Sequence, residues 1–343
     1  MRLSETSMVV NPQRQMTSTD PWLRWLSKIT CGATLFLIFV GAMVKSTNSG
    51  LAVPDWPLSY GMFFPPMIGG VFYEHGHRMV AATVGFLMLC LAISLGIRES
   101  RKWVKVLGYC ALGTVVLQGV LGGITVLFFL PIPISVLHGV LAQVFFILTI
   151  FIAYSQSKER LIRGYVRLES SRRLLRLVIL WTGFVLLQLI LGAVMRHTES
   201  GLAIPDFPTM GGKWLPTFDQ TMLDAINNLR FDRDLTSVTL TQVFYHFLHR
   251  LGALFILIFL GILNIVSLLD YKKHQGIFQA VIWINILIVL QVILGVMTIL
   301  TLKLPIITSL HVVTGATLLG TSFLLILRAS PLTLIDFKQS ISY

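Results

Sequence analysis

The sequence predicts an all-α integral membrane protein, with eight transmembrane helices arranged as two four-helix bundles that repeat in parallel. Of its 343 residues, 55% are hydrophobic and 12% charged, with a mean hydropathy of +0.79; in a soluble chain about a quarter are charged. Eight apolar runs are long enough to cross about 30 Å of hydrocarbon. The chain also duplicates itself, and duplication fixes architecture before any motif is weighed. The net charge of +12 does not point to nucleic acid, because the basic residues cluster in short loops between apolar runs, as positive-inside residues do.

The N-terminal stretch before the first run is polar, and Glu5 and Asp20 argue against an Arg-rich transit peptide. The first run, near 27–45, lacks a small-residue cleavage site and reads as an anchor, not a signal peptide. Further spans are expected near 77–97, 105–128, 134–154, 175–195, 244–268, 278–301 and 306–328. The loops after the second, fourth and sixth runs carry Arg98/Arg101/Lys102/Lys105, then Lys158/Arg160/Arg163/Arg167/Arg172/Arg173/Arg176, then Lys272/Lys273. This bias places both termini in the cytoplasm. The loop near 196–243 is long and mixed in charge, and long loops cross regardless of charge. Cys31, Cys90 and Cys110 lack metal-ligand spacing and are expected to be buried, inert thiols. The expected domains are a cytoplasmic segment (1–26), an N-terminal bundle (27–154), a basic cytoplasmic linker (155–174), a C-terminal bundle (175–328) and a cytoplasmic tail (329–343).

Lys45-Ser46-Thr47-Asn48-Ser49-Gly50-Leu51-Ala52-Val53-Pro54-Asp55-Trp56-Pro57 recurs as Arg196-His197-Thr198-Glu199-Ser200-Gly201-Leu202-Ala203-Ile204-Pro205-Asp206-Phe207-Pro208, with eight of thirteen positions identical. Each copy follows a helix ending in Gly-Ala. Gln118-Gly119-Val120-Leu121-Gly122 precedes His138 as Gln291-Val292-Ile293-Leu294-Gly295 precedes His311, by twenty residues in each case. Four helices per repeat is an even number, so both halves enter the membrane in the same direction.

The repeat sorts the histidines. His77 opens the second helix and His249 the sixth, each followed by an arginine. His138 opens the fourth and His311 the eighth, each preceded by a leucine. Within each half, two imidazoles lie at matching depth on two helices, an arrangement suited to axial ligation of a haem iron across a bundle; a proton relay is the alternative. Arg78 and Arg250 are placed to hold propionates through charge-assisted hydrogen bonds or to snorkel at the interface. Gly119, Gly122, Gly123 and Gly295 are expected mainly to serve helix packing. His75, His197 and His274 have no counterparts in the other half and read as solvated. The halves differ at one place: Glu74 stands three residues before His77, but His246 stands before His249. Glu74 and His77 share a helical face, and ionisable groups inside a membrane bundle mark functional sites.

These residues together resemble the haem A synthase family, membrane enzymes that convert haem O to haem A for terminal oxidases. The resemblance covers about 27–328. It rests on the Thr-x-Ser-Gly-Leu-x-x-Pro-Asp loop, Glu-x-x-His-Arg at Glu74–Arg78, and the paired histidines. It implies that His77 and His138 bind the substrate haem O, that His249 and His311 ligate a haem b cofactor, and that Glu74 is the essential acid. It also implies a haem O-making prenyltransferase (haem O synthase) as a partner, an electron acceptor of unnamed type, and a bacterial inner-membrane location. Many family members carry a cysteine pair in the first outer loop, and residues 46–76 here contain none. The second-half loop is 21 residues longer, Asp55 to His77 being 22 positions and Asp206 to His249 being 43.

The implied reaction oxidises the C8 methyl of haem O to a formyl group by successive hydroxylations. A carboxylate such as Glu74 could stabilise positive charge at that carbon or take a proton. The rival is a di-haem b electron carrier, which explains four histidines but not an acid in one half only. A transporter fits poorly with equal-depth histidines in parallel repeats. Oligomeric state, a homo-oligomer included, is left open by the sequence.

Overall fold

The computed structural model describes residues 20–163, 172–271 and 274–330. In chain order its helices are α1 (Pro21–Ser46), α2 (Gly70–Arg98), α3 (Lys102–Leu127), α4 (Ile132–Ser155), α5 (Lys158–Arg163), α6 (Arg172–His197), α7 (Gln220–Phe231), α8 (Leu240–Asp270), α9 (Gln275–Leu300) and α10 (Pro305–Ala329). All but α5 and α7 are long and apolar enough to cross a membrane. Among the described residues there is no β-strand beyond two isolated bridges, Ser59–Met62 and Met210–Lys213.

The spans outrun the apolar runs because polar residues close their ends. The Asp20 carboxylate accepts from the Trp22 N–H at 2.8 Å, and Pro21 starts α1 where a missing N–H costs nothing. Thr239 and Gln242 form a reciprocal capping box that starts α8. At the far ends of α3 and α9, Phe129, Leu130, Leu302 and Lys303 all have positive φ. Leu130 N–H and Lys303 N–H then donate back to Thr125 O and Thr298 O, satisfying carbonyls the helices leave open.

In the first half, α1 touches α2, α2 touches α3, α3 touches α4 and α4 touches α1; α6, α8, α9 and α10 close the same ring in the second. Each bundle has its own apolar core. One is built on Leu23, Val84, Met88, Leu91 and Phe145, the other on Trp181, Leu263, Ile284 and Leu319. The bundles meet along α1, α4, α6 and α10. There Gly320 admits Phe146 and Ile150, and Arg196 reaches from α6 to Ala42 O (2.6 Å) and Ser46 Oγ (2.9 Å) on α1.

The structure gives one unassigned stretch a fold and changes two expectations. The 21-residue expansion contains α7, capped by Asp219 and packed through Met222 and Ile226 onto Ile204, Val238 and Val243. The cysteines are free but not buried: Cys31 and Cys90 are half-buried and Cys110 is exposed on α3. A thiol is apolar enough to face lipid, so composition alone does not send it to a core. His75 is not solvated but buried, its Nδ1 2.7 Å from Ser59 Oγ. The linker (155–174) contains α5. Residues 1–19 of the N-terminal segment, 164–171 of the linker (Arg167 included), Lys272/Lys273 and 331–343 of the tail lie outside the described residues.

Candidate haem-binding sites

His77, His138, His249 and His311 do not open their helices, because each helix begins before its apolar run. They lie in the second or third turn of α2, α4, α8 and α10, all at the bundle end where the repeated loops close. In the second half, the rings of His249 and His311 lie with centroids 6.4 Å apart and their planes at 70°. An imidazole nitrogen binds a first-row metal at about 2.0–2.1 Å, so two rings on opposite sides of one ion have centroids roughly 6 Å apart. The spacing fits a shared iron. Among the described residues no three histidine, cysteine or acidic side chains come together. A two-imidazole set suits an ion whose remaining ligands come from a macrocycle.

Each imidazole is seated against a glycine of the preceding spanning helix. A Cβ on Gly41 would lie 3.0 Å from the His77 ring, on Gly122 3.3 Å from His138, on Gly192 3.1 Å from His249 and on Gly295 3.2 Å from His311. Of the glycines singled out from sequence, Gly122 and Gly295 therefore seat histidine rings, Gly123 admits the Trp56 indole, and Gly119 faces open space. Gly41 and Gly192 were missed, although both lie in the repeated Gly-Ala that precedes each loop. Glutamines brace the histidines, at the backbone or the ring. Gln188 Nε2 donates to His249 O at 2.8 Å, Gln118 Nε2 to His138 O at 2.9 Å, and Gln291 Nε2 lies 3.3 Å from His311 Nε2. The Nδ1 atoms of His77, His138 and His311 are buried without a partner, polar atoms that apolar packing alone would not retain.

Glu74 lies one turn before His77 and is 3% exposed. Its Oε2 accepts the Val53 N–H at 2.8 Å and its Oε1 pairs with Arg78 Nη2 at 2.7 Å. His246 does the same work in the second half: Nδ1 lies 3.1 Å from Ile204 N and Nε2 3.2 Å from Arg250 Nε. The position is a loop anchor in both halves, and only the charge is peculiar to the first.

Arg78 donates to Asp55 O and Leu58 O, each at 2.7 Å, and Arg250 to Thr209 O at 3.0 Å, Ile204 O at 3.1 Å and Asp206 O at 2.8 Å. Both arginines hold the loop above their site, and Arg78 also pairs with Glu74 and Arg250 with His246.

Each loop is folded around its Pro-Asp. Asp55 accepts from the N–H of Gly61 and Tyr60, which hold its carboxyl below the usual range. Burial pushes Asp206 up, but the Thr209 hydroxyl and the Gly212 and Gly211 N–H groups outweigh it and leave the acid lowered. Both turns use glycine at positive φ, Gly61 in one and Gly211 and Gly212 in the other. Glu199 joins the halves by pairing with Lys45 and Lys303, which lower its carboxyl against the upward push of burial.

Fold and site together define an eight-span membrane protein in which each half carries two histidines at duplicated positions, each seated on a glycine. The sequence profile of the COX15-CtaA family, described as cytochrome oxidase assembly protein, matches residues 24–323, and the chain belongs to that family. It is 31% identical to the haem A synthase of Bacillus licheniformis over 205 residues, covering 57% of this chain and 66% of that one. Identity to the haem A synthase of Bacillus pumilus is 27% over 287 residues, 81% of this chain and 85% of the relative. To the haem A synthase of Rickettsia prowazekii it is 26% over 321 residues, 84% and 92% of the two chains.

Proposed function

We propose that this protein is a haem A synthase, a membrane oxidoreductase that converts the C8 methyl of haem O to a formyl group by two successive hydroxylations followed by loss of water. The observation that carries the proposal is the duplicated imidazole pair, each ring seated on a glycine, with a buried carboxylate beside the first pair only. His77 and His138 hold haem O as substrate. His249 and His311 hold haem b, which when bound supplies one-electron transfer to an acceptor. Glu74 places a negative charge beside the substrate ligand, where it stabilises positive charge developing at the methyl carbon or takes its proton. Arg78 and Arg250 position the loops over the two sites; a propionate would have to compete for them with the loop carbonyls. The halves act as separate units across the linker, with both termini in the cytoplasm of a bacterial inner membrane and haem O supplied by a haem O synthase.

The test is extraction and mass analysis of haems from the purified protein, alongside pyridine-haemochrome spectra. Haem O or A together with haem B is expected. Haem B alone, at two per chain, would support the di-haem electron carrier instead.

A further inference from the structure

The two repeated loops share an anchor and an Asp-centred turn but differ in charge. Residues 56–73 contain no Asp, Glu, Lys or Arg, whereas 207–245 contain Lys213, Asp219, Asp224, Arg230, Asp232, Arg233 and Asp234. The second loop buries Met222, Ile226 and Val238 in a small core of its own, under α7, and its exposed Trp214, Leu215 and Phe231 sit among those charges. The first has no charge beside its exposed apolar residues: Phe63 is 77% exposed, Phe64 82% and Ile68 76%, and the neighbouring α3–α4 hairpin adds Phe128 and Phe129 at 65% and 80%. That hairpin is also uncharged, while its second-half counterpart carries Lys303 paired to Glu199. The charges at this end of the first bundle are used internally. Asp55 caps its turn, Glu74 pairs with Arg78, and Lys45 with Glu199.

The exposed loop surface is continuous with the lipid-facing side of α2. Phe72, Met79, Phe86 and Ile93 recur at seven-residue spacing and are all exposed, a single stripe running from the loop down the span. An apolar patch this large marks a membrane or protein contact, and a patch that continues a membrane-facing stripe has its occupant beside it.

We propose that the 57–72 loop is seated in the adjoining membrane leaflet, forming an apolar lip on the N-terminal bundle, while the 207–239 loop stands in water. Phe63 and Phe64 lie at the headgroup–acyl boundary, and Pro65-Pro66, with no N–H to bury, leads the chain back to α2. The lip sets the mouth of the first bundle against lipid, so a lipophilic macrocycle can approach it without crossing water. This last step rests on the functional reading above; the lip itself does not.

The experiment is a nitroxide label at Phe64→Cys, in a background with Cys31, Cys90 and Cys110 replaced by serine, in proteoliposomes of the purified full chain. Collision with oxygen and with a water-soluble nickel complex is compared with the same label at Phe231→Cys, an 81% exposed position on α7. The oxygen-to-nickel ratio at 64 is expected to exceed that at 231 several-fold. Equal ratios would put the loop in water and overturn the proposal. Low collision with both reagents would mean that protein, such as a second copy of the chain, covers the patch, and would overturn it equally. Phe63→Cys is the second site and should give the same pattern. Because no readout involves haem, the lip and the synthase assignment can fail independently.

Discussion

In the N-terminal bundle the residue that anchors the loop is Glu74; in the C-terminal bundle it is His246. Around this exchange the halves differ in a patterned way. His75 and its Ser59 partner stand where the second half has Phe247 and Met210, which pack into an apolar cluster. Trp56 lies against Gly123, where the second half has Phe207 and Val296 at the matching positions. Ala92 and Leu112 lie in or against the first core, where the second half joins α8 to α9 by the reciprocal Asn264–Asn285 pair, at 2.8 and 2.7 Å. What does not differ is the ligand seat: four histidines, four glycines. One scaffold thus surrounds the same histidine seats with two environments, and at the anchor position only the first carries a carboxylate. A pair of sites serving only as electron carriers gives no reason for that asymmetry.

The largest expected effect separates the two ligand pairs. His249→Ala or His311→Ala should remove the low-spin b-type spectrum from the purified protein, whereas His77→Ala should leave it in place. The opposite result would exchange the roles of the halves.

Next is the anchor itself. Glu74→His copies the second half into the first and keeps a ring nitrogen for the Val53 N–H. Thermal stability should therefore change little, while haem A formation falls by about 10²-fold or more, the usual scale for a lost acid or base. Haem A at the wild-type rate would reduce Glu74 to a loop clamp. Glu74→Gln should behave alike in activity while leaving haem bound.

A smaller effect is expected at the indole seat. A Cβ on Gly123 would lie 2.7 Å from the Trp56 ring, so Gly123→Val should cost about 1–3 kcal/mol by overpacking. Adding Trp56→Phe recreates the second half's combination and should recover most of the loss. Denaturation midpoints of the single and double variants decide it, and no recovery would mean that the two positions are not coupled.

The smallest effect lies at the opposite end of the first bundle. Glu99 caps α2, pairs twice with Arg101 and accepts from Gln156 Nε2 at 2.6 Å. Burial alone would raise its pKa, but these partners win and hold it at about 2. A depressed carboxylate stabilises the fold fully above its unfolded value, near 4.5, and the contribution is lost as pH falls from there towards 2. In the second half Tyr271 caps α8 at this position. Hydrogen exchange between pH 5 and 3 should therefore loosen the α2–α3 elbow more than the α8–α9 elbow, and Glu99→Gln should remove the pH dependence. Equal loosening of both elbows would deny Glu99 that role.

Much of this could be read along the chain. Apolar run length gave the eight spans, because lipid demands that each crossing satisfy its own backbone hydrogen bonds within one helix. The duplication picked out His77, His138, His249 and His311 and isolated Glu74 as the odd residue. Helix phase across the bundle was not legible. Whether Gly41 faces His77, whether Gln188 reaches His249, and whether the Arg78 donors end on loop carbonyls depend on the rotation of helices far apart in sequence. Nor could sequence show that His75 is buried, since only the folded loop brings Ser59 beside it. Local chemistry along one chain determined which segments are helices and which residues recur. The tertiary structure decided which recurring residues meet, because meeting requires packing between helices whose relative phase no linear pattern records.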